Sequence, residues 1–328
     1  MAWSSVSSCF GRRQPRAWVS LSAFAVVLVA VYCPALLKAQ QTDESSPQAH
    51  VARNKALIAD AAQRKLSPVQ VGGLWSQIAS DYQDLGDFAQ AENAYTHSLG
   101  LMEHEKSARM GYAVTLSNLG SLYTLTKRFD AAENCNKRSL AVTEELGDPL
   151  MIARAQGHLA DVYLAMGKNK EAARYSSLAI QAVTTLPNAT NDDKGSMLIT
   201  YAYATCLSSH CDEGLRAARE AGRIVSATYA PDSFPSGQAH VALGFVEWKA
   251  GEREAADEDL REGVRILRLQ LPPTHPLMVH ALELYRDYLA DNHRGPEAQK
   301  IAEEQKTLYE HARSCSGCTV SVHGLRTQ

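Results

Sequence analysis

Along most of the chain, apolar residues return at intervals of three and four, on both sides of short glycine-containing or polar breaks. That period belongs to amphipathic helices, and the breaks at Gly86-Asp87, Gly167-Lys168 and Gly251-Glu252 divide them into pairs. One template underlies the pairs. An apolar residue is followed by a small one, then by an aromatic three places on, then by alanine nine places later. It reads Leu119, Gly120, Tyr123, Ala132 in one copy, Leu159, Ala160, Tyr163, Ala172 in the next, and Ile78, Ala79, Tyr82, Ala91 in an earlier one.

Weaker copies follow at Tyr201, Ala202, Thr205, Gly214, then Leu243, Gly244, Glu247, Ala256, then Tyr285, Arg286, Leu289, Ala298. The reference position falls at 82, 123, 163, 205, 247 and 289, so the steps are 41, 40, 42, 42 and 42 residues. A fixed period of this size defines a stack of two-helix units. The small residue on the first helix and the alanine or glycine on the second let the two axes approach. The expected fold is all-α, with residues 67–312 forming about six repeats.

The flanks of the array have their own signals. Ser67, Pro68 and Gln70 supply an N-cap, a first-turn proline and a third-position glutamine, which start a helix. Residues 50–66 read as an additional N-terminal helix and residues 40–49 as a polar linker. The stretch Leu186 to Gly195 reads as a loop, a joint between the first three repeats and the last three.

Trp75, Ile78, Ala79, Tyr82, Ala91 and Tyr95 resemble the repeat of the tetratricopeptide family, and the match extends over roughly residues 68–312. The step near 42, in place of the usual 34 or so, and the segment Leu271-Pro272-Pro273-Thr274-His275-Pro276 are similar to the long-repeat subgroup found in kinesin light chains. The sixth copy departs from the pattern at Arg286 and His293 and reads as a terminal cap. The resemblance implies a right-handed superhelical solenoid of antiparallel helix pairs, with a concave face that holds a polypeptide partner.

On that face the resemblance exposes Ser80, Gln83, Ser121, Thr124, Asp161 and Leu164 in the first three repeats. Tyr203, Cys206, Phe245, Trp248, Asp287 and Ala290 follow in the last three. Tyr203, Leu207, Val241, Phe245 and Trp248 are the candidate partner-binding residues, since aromatic side chains dominate interface energies. The alternative is that they pack between helices. The family's clamp for acidic C-terminal tails is incomplete here. Asn118 and Arg154 fit it, but Ser76, Ser80 and His158 stand where other clamp residues belong, so no receptor for such tails is expected.

The first 39 residues change the picture of location. Arg12, Arg13 and Arg16 precede an apolar run from Ala17 to Leu37, Pro34 interrupts its end, and no acidic residue occurs before Asp43. This reads as a signal peptide with cleavage after Ala39, which makes the chain exported, periplasmic or extracellular. The alternative is an uncleaved anchor in the inner membrane with the solenoid outside the cytoplasm, as in an assembly subunit. A membrane partner is expected only in that case.

Charge and composition exclude other classes. The net charge of -3 offers no basic surplus for a nucleic-acid backbone, so no nucleic-acid partner is expected. No G-x-S-x-G, H-E-x-x-H, phosphate-binding or dinucleotide glycine motif occurs, so neither catalytic residues nor a cofactor are expected. Cys315 and Cys318, in a tail spanning 313–328, could close a small disulfide or act as a thiol redox pair; a structural clip is the favoured reading, and zinc would need more ligands than His323. Cys206, His210 and Cys211 share one helix end, where a metal site is conceivable but lacks a fourth ligand, so no metal is expected. Cys135 reads as core.

Overall fold

The computed structural model describes residues 46–314. Every element there is helical, and no strand occurs among the described residues. The chain runs through α1 (Pro47–Ala59), α2 (Pro68–Asp84), α3 (Phe88–Met102), a short 3-10 turn at Lys106–Ala108, α4 (Arg109–Leu125), α5 (Phe129–Leu146), α6 (Pro149–Ala165) and α7 (Asn169–Thr185). It continues through α8 (Asn191–Leu207), α9 (Cys211–Thr228), α10 (Phe234–Ala250), α11 (Arg253–Gln270), α12 (Pro276–Asp291) and α13 (Gly295–Ser314). Residues 1–39 and the pair Cys315 and Cys318 lie outside the described residues.

Six antiparallel pairs, α2/α3 through α12/α13, stack in order, each packing on the next. The small positions do what their spacing predicts. Ala79, Ala160 and Ala202 on the first helices and Ala91, Ala132, Ala172 and Ala256 on the second are sealed from solvent. A Cβ at Gly120 would lie 2.4 Å from Asn136 Nδ2, and one at Gly244 would lie 2.8 Å from the backbone nitrogen of Leu260. A larger side chain at these points would hold the helices apart.

The same register governs the turns inside each pair. Gly86, Lys127, Gly167, Ser209, Gly251 and His293 all have positive φ, each four residues after a reference position. The next residue then donates its N–H to the reference carbonyl: Asp87 to Tyr82 at 2.8 Å, Arg128 to Tyr123 at 2.8 Å, Lys168 to Tyr163 at 2.8 Å, His210 to Thr205 at 2.9 Å, Glu252 to Glu247 at 2.9 Å and Arg294 to Leu289 at 2.9 Å. This is the six-to-one closure of a Schellman turn, which favours glycine at the left-handed residue. Lys127, Ser209 and His293 pay the Cβ penalty there. Ser209→Gly and His293→Gly are each expected to raise stability by about 1 kcal/mol, read as a higher urea midpoint.

Two boundaries differ from the sequence expectation. The N-terminal helix begins at Pro47, three residues inside the expected linker, because proline suits a first helical turn. It ends at Ala59, and hydrogen-bonded turns follow as far as Lys65, whose φ of 53° breaks the run. The expected loop at 186–195 is shorter, since α8 starts at Asn191. There Thr190 and Asp193 form a capping box, which converts the acidic run into a first helical turn. The Ser67–Gln70 box forms as the spacing predicts.

First helices of successive repeats also pack on one another, α2 on α4, α4 on α6, α6 on α8, α8 on α10 and α10 on α12. No comparable packing joins successive second helices, so the first helices form the inner layer of a curved array. The curvature brings distant repeats together. The ring of Phe88, at the start of α3, meets the imidazole of His275, just before α12, edge to face at 5.8 Å. Lys127 is near enough for its charge to act on His280 of α12.

Candidate functional site: the concave face

Side chains bridge the inner layer from helix to helix. In the first half these bridges are polar. Thr115 Oγ1 donates to Ser76 Oγ at 3.1 Å, and Ser121 Oγ lies 3.4 Å from His158 Nδ1. Thr200 Oγ1 donates to Asp161 Oδ1 at 2.5 Å. Arg154 grips Asp193 with two hydrogen bonds, Nε to Oδ1 at 2.6 Å and Nη2 to Oδ2 at 3.0 Å.

In the second half the bridges are aromatic. Tyr203 stacks on Phe245 with centroids 4.8 Å apart, Phe245 meets Trp248 edge-on at 6.2 Å, and Trp248 meets Tyr288 edge-on at 6.1 Å. The Lys249 ammonium lies 3.3 Å from the centre of the Trp248 indole.

The candidate residues occupy three different situations. Val241 and Phe245 are 4% and 5% exposed, so their surface is spent on core packing. Tyr203 and Trp248 are half-buried. Leu207, at the end of α8, is 44% exposed. The open apolar surface along this ladder therefore belongs to Tyr203, Trp248 and Leu207.

Desolvation acts on titratable groups of the polar half. Asp161 is exposed by surface area, yet protein surrounds it closely enough that desolvation raises its pKa, partly opposed by His158 and Thr200. Desolvation likewise lowers the pKa of His158, opposed by Asp161. Burial alone pushes the Tyr203 phenol above its ordinary value.

Cysteine chemistry differs from what the sequence suggests. Cys206 and Cys211 form a disulfide between the end of α8 and the start of α9. The bond removes both thiolates from the conceivable metal set with His210, and no group of three or more metal-ligating side chains occurs among the described residues. The short spacing gave no signal that the two would pair. Cys135 is free and buried.

A second titratable cluster lies between α10 and α11, away from the concave face. Glu247 is 4% exposed and its Oε2 has no partner. Burial first, then the adjacent Asp259, pushes its pKa up to about 8. His240 Nδ1 lies 2.6 Å from Asp259 Oδ1 on the other side. Because the folded pKa of Glu247 exceeds the unfolded one, its stabilising contribution is full below about pH 4.5 and is lost as pH rises through about 8. Glu247→Gln, which stays neutral, is expected to match the wild type near pH 5 and to melt several degrees higher at pH 9, as thermal unfolding across that range will show.

With this geometry in place, residues 70–145 match the tetratricopeptide repeat family model. The described residues carry the fold of a tetratricopeptide-type solenoid throughout. It is similar to the apo form of RapI, at 11% identity and a TM-score of 0.61 over 90% of this chain and 100% of that one. A Rap protein complexed with Competence and Sporulation Factor is similar at 12% identity and a TM-score of 0.56, over 73% and 76% of the two chains. BtubC (BKLC) from P. vanneervenii is similar at 20% identity and a TM-score of 0.53, over 69% and 92%. No curated protein sequence matches the chain. At these identities the solved structures speak for the fold alone, a helical repeat scaffold.

Proposed function

We propose that this protein is an exported scaffold that holds a polypeptide on its concave face, without catalysis. The observation that carries this is the continuous inner layer of first helices, on which Tyr203, Trp248 and Leu207 are not fully buried. A fold of the same kind has been solved with Competence and Sporulation Factor bound to a Rap protein, which supports a polypeptide occupant. Export is supported by the basic-then-apolar start of the chain and by the Cys206–Cys211 bond, since disulfides persist in oxidising compartments.

A random 12-mer display library panned on the full chain is the test. The wild type is expected to enrich a family of peptides, and Tyr203→Ala with Trp248→Ala to lose about tenfold or more of that retention. Unchanged retention with helicity intact would refute this surface. N-terminal sequencing of exported material separates a free protein, starting at Gln40, from an anchored assembly subunit that keeps residues 1–39.

A further inference from the structure

We propose that the partner enters the concave face through a cationic side chain, lysine or arginine, which pairs with Asp161, while adjoining residues of the same segment lie along the aromatic ladder that starts at Tyr203. The inference rests on the reading of the concave face as the binding surface and adds the chemistry of what it binds.

Asp161 is the starting point. It lies on α6, a helix of the inner layer, exposed by area, with one carboxylate oxygen accepting from Thr200 of α8. Among the described residues no lysine or arginine pairs with it, and its one titratable neighbour is His158, a turn earlier on the same helix. Two other carboxylates on first helices are already matched by arginine, Asp193 by Arg154 and Asp287 by Arg286. An enclosed carboxylate has lost part of its hydration and gains more than a surface one from an incoming cation. The second oxygen has no protein donor and is available to an ammonium or guanidinium group.

The charge pattern also selects against an acidic occupant. Arg154, one turn before His158 on α6, is spent on Asp193, so it offers no free charge to a carboxylate. An acidic segment would meet Asp161 with like charge, and rejection of that kind is half of specificity.

The aromatic half then receives the rest of the segment. Tyr203 lies three residues after Thr200 on α8, hence on the same helix face one turn further along. Its hydroxyl has no hydrogen-bond partner among the described residues, although protein surrounds it. A free, enclosed hydroxyl beside a stacked ring suits an extended backbone, which presents both donors and acceptors. Beyond it Trp248 and Leu207 offer apolar contact.

The same 12-mer library, sequenced after panning on wild type and on Asp161→Asn, decides the matter. Lysine or arginine is expected at one register position of the wild-type consensus, depleted about tenfold on Asp161→Asn. Asp161→Lys should turn the preference toward glutamate or aspartate. Glu258→Gln removes one charge from an exposed site on α11 and should leave the consensus unchanged. A reading independent of any variant's folding comes from the consensus peptide itself: replacing its arginine or lysine by citrulline or norleucine should weaken binding to the wild type about tenfold. A consensus without a basic residue, or equal affinity after that replacement, overturns the cationic anchor and leaves the concave-face reading standing. Failure of the wild type to enrich any peptide removes both.

Discussion

Gly263→Ala is expected to lower the unfolding free energy by about 2–4 kcal/mol, although the same exchange in an open helix is stabilising. Gly263 lies mid-helix in α11, where α10 comes closest. A Cβ there would stand 2.6 Å from Val241 Cγ2, 2.8 Å from the Val241 backbone nitrogen and 3.0 Å from the Gly237 carbonyl oxygen. Two of these three neighbours are backbone, so no rotamer change relieves them and the helices must separate. Separation would also loosen the Glu247–Asp259 contact between the same helices. Gly222→Ala in α9 is the matched control. Nothing lies within 4 Å of a Cβ at that site, and the exchange should gain about 0.5–1 kcal/mol from helix propensity. Urea titration of both variants reads opposite signs from one substitution. A loss below about 0.5 kcal/mol at Gly263 would mean that α10 and α11 do not pack as described.

Asp193→Ala is expected to cost about 2–4 kcal/mol and to weaken the union between the third and fourth repeats. Besides its two bonds to Arg154, the carboxylate accepts from the Thr190 N–H at 2.9 Å and the Thr190 hydroxyl at 2.7 Å. One side chain thus caps α8 and ties it to α6. Burial alone would raise its pKa, but Arg154 and Thr190 overcome this and hold it at about 2. For a carboxyl depressed below its unfolded value, the stabilisation is present above about pH 4 and is lost as pH falls toward 2. That contribution amounts to about 2 kcal/mol at most, since Arg154 is partly open to water. Asp193→Asn keeps the shape and should flatten the acid limb of the stability profile between pH 4 and 2. A variant whose acid limb matches the wild type would show that the pair carries no such energy.

Much of the fold was legible because its rule is local and repeated. Every pair must bring two backbones together, so Ala79, Gly120 and Ala132 recur in register, and the reference positions give the turns as well. The three turns without glycine were harder to read, because Lys127, Ser209 and His293 take the left-handed conformation by virtue of the closing hydrogen bond and despite their own preference. The start of α8 was missed because the acidic run after Thr190 has the composition of a loop, while its three-residue spacing makes a cap. The close approach at Gly263 was hidden as well, since the template marks small residues at one level of each pair and this one lies elsewhere along α11.

The concave face was legible only as a set of positions. Helical phase places Tyr203, Phe245 and Trp248 on one side, but the depth at which each ring sits depends on the neighbouring repeat. Phe245 and Val241 were therefore taken into the core while Leu207 stayed outside. The pairing of Arg154 with Asp193 spans 39 residues, and nothing in either local sequence announces it. The position of Asp161, with Thr200 of the next repeat on one oxygen and no arginine or lysine partner, emerges only once the repeats are stacked.

The touching of Phe88 and His275 turns a row of repeats into a loop of contacts that begins and ends at the same place.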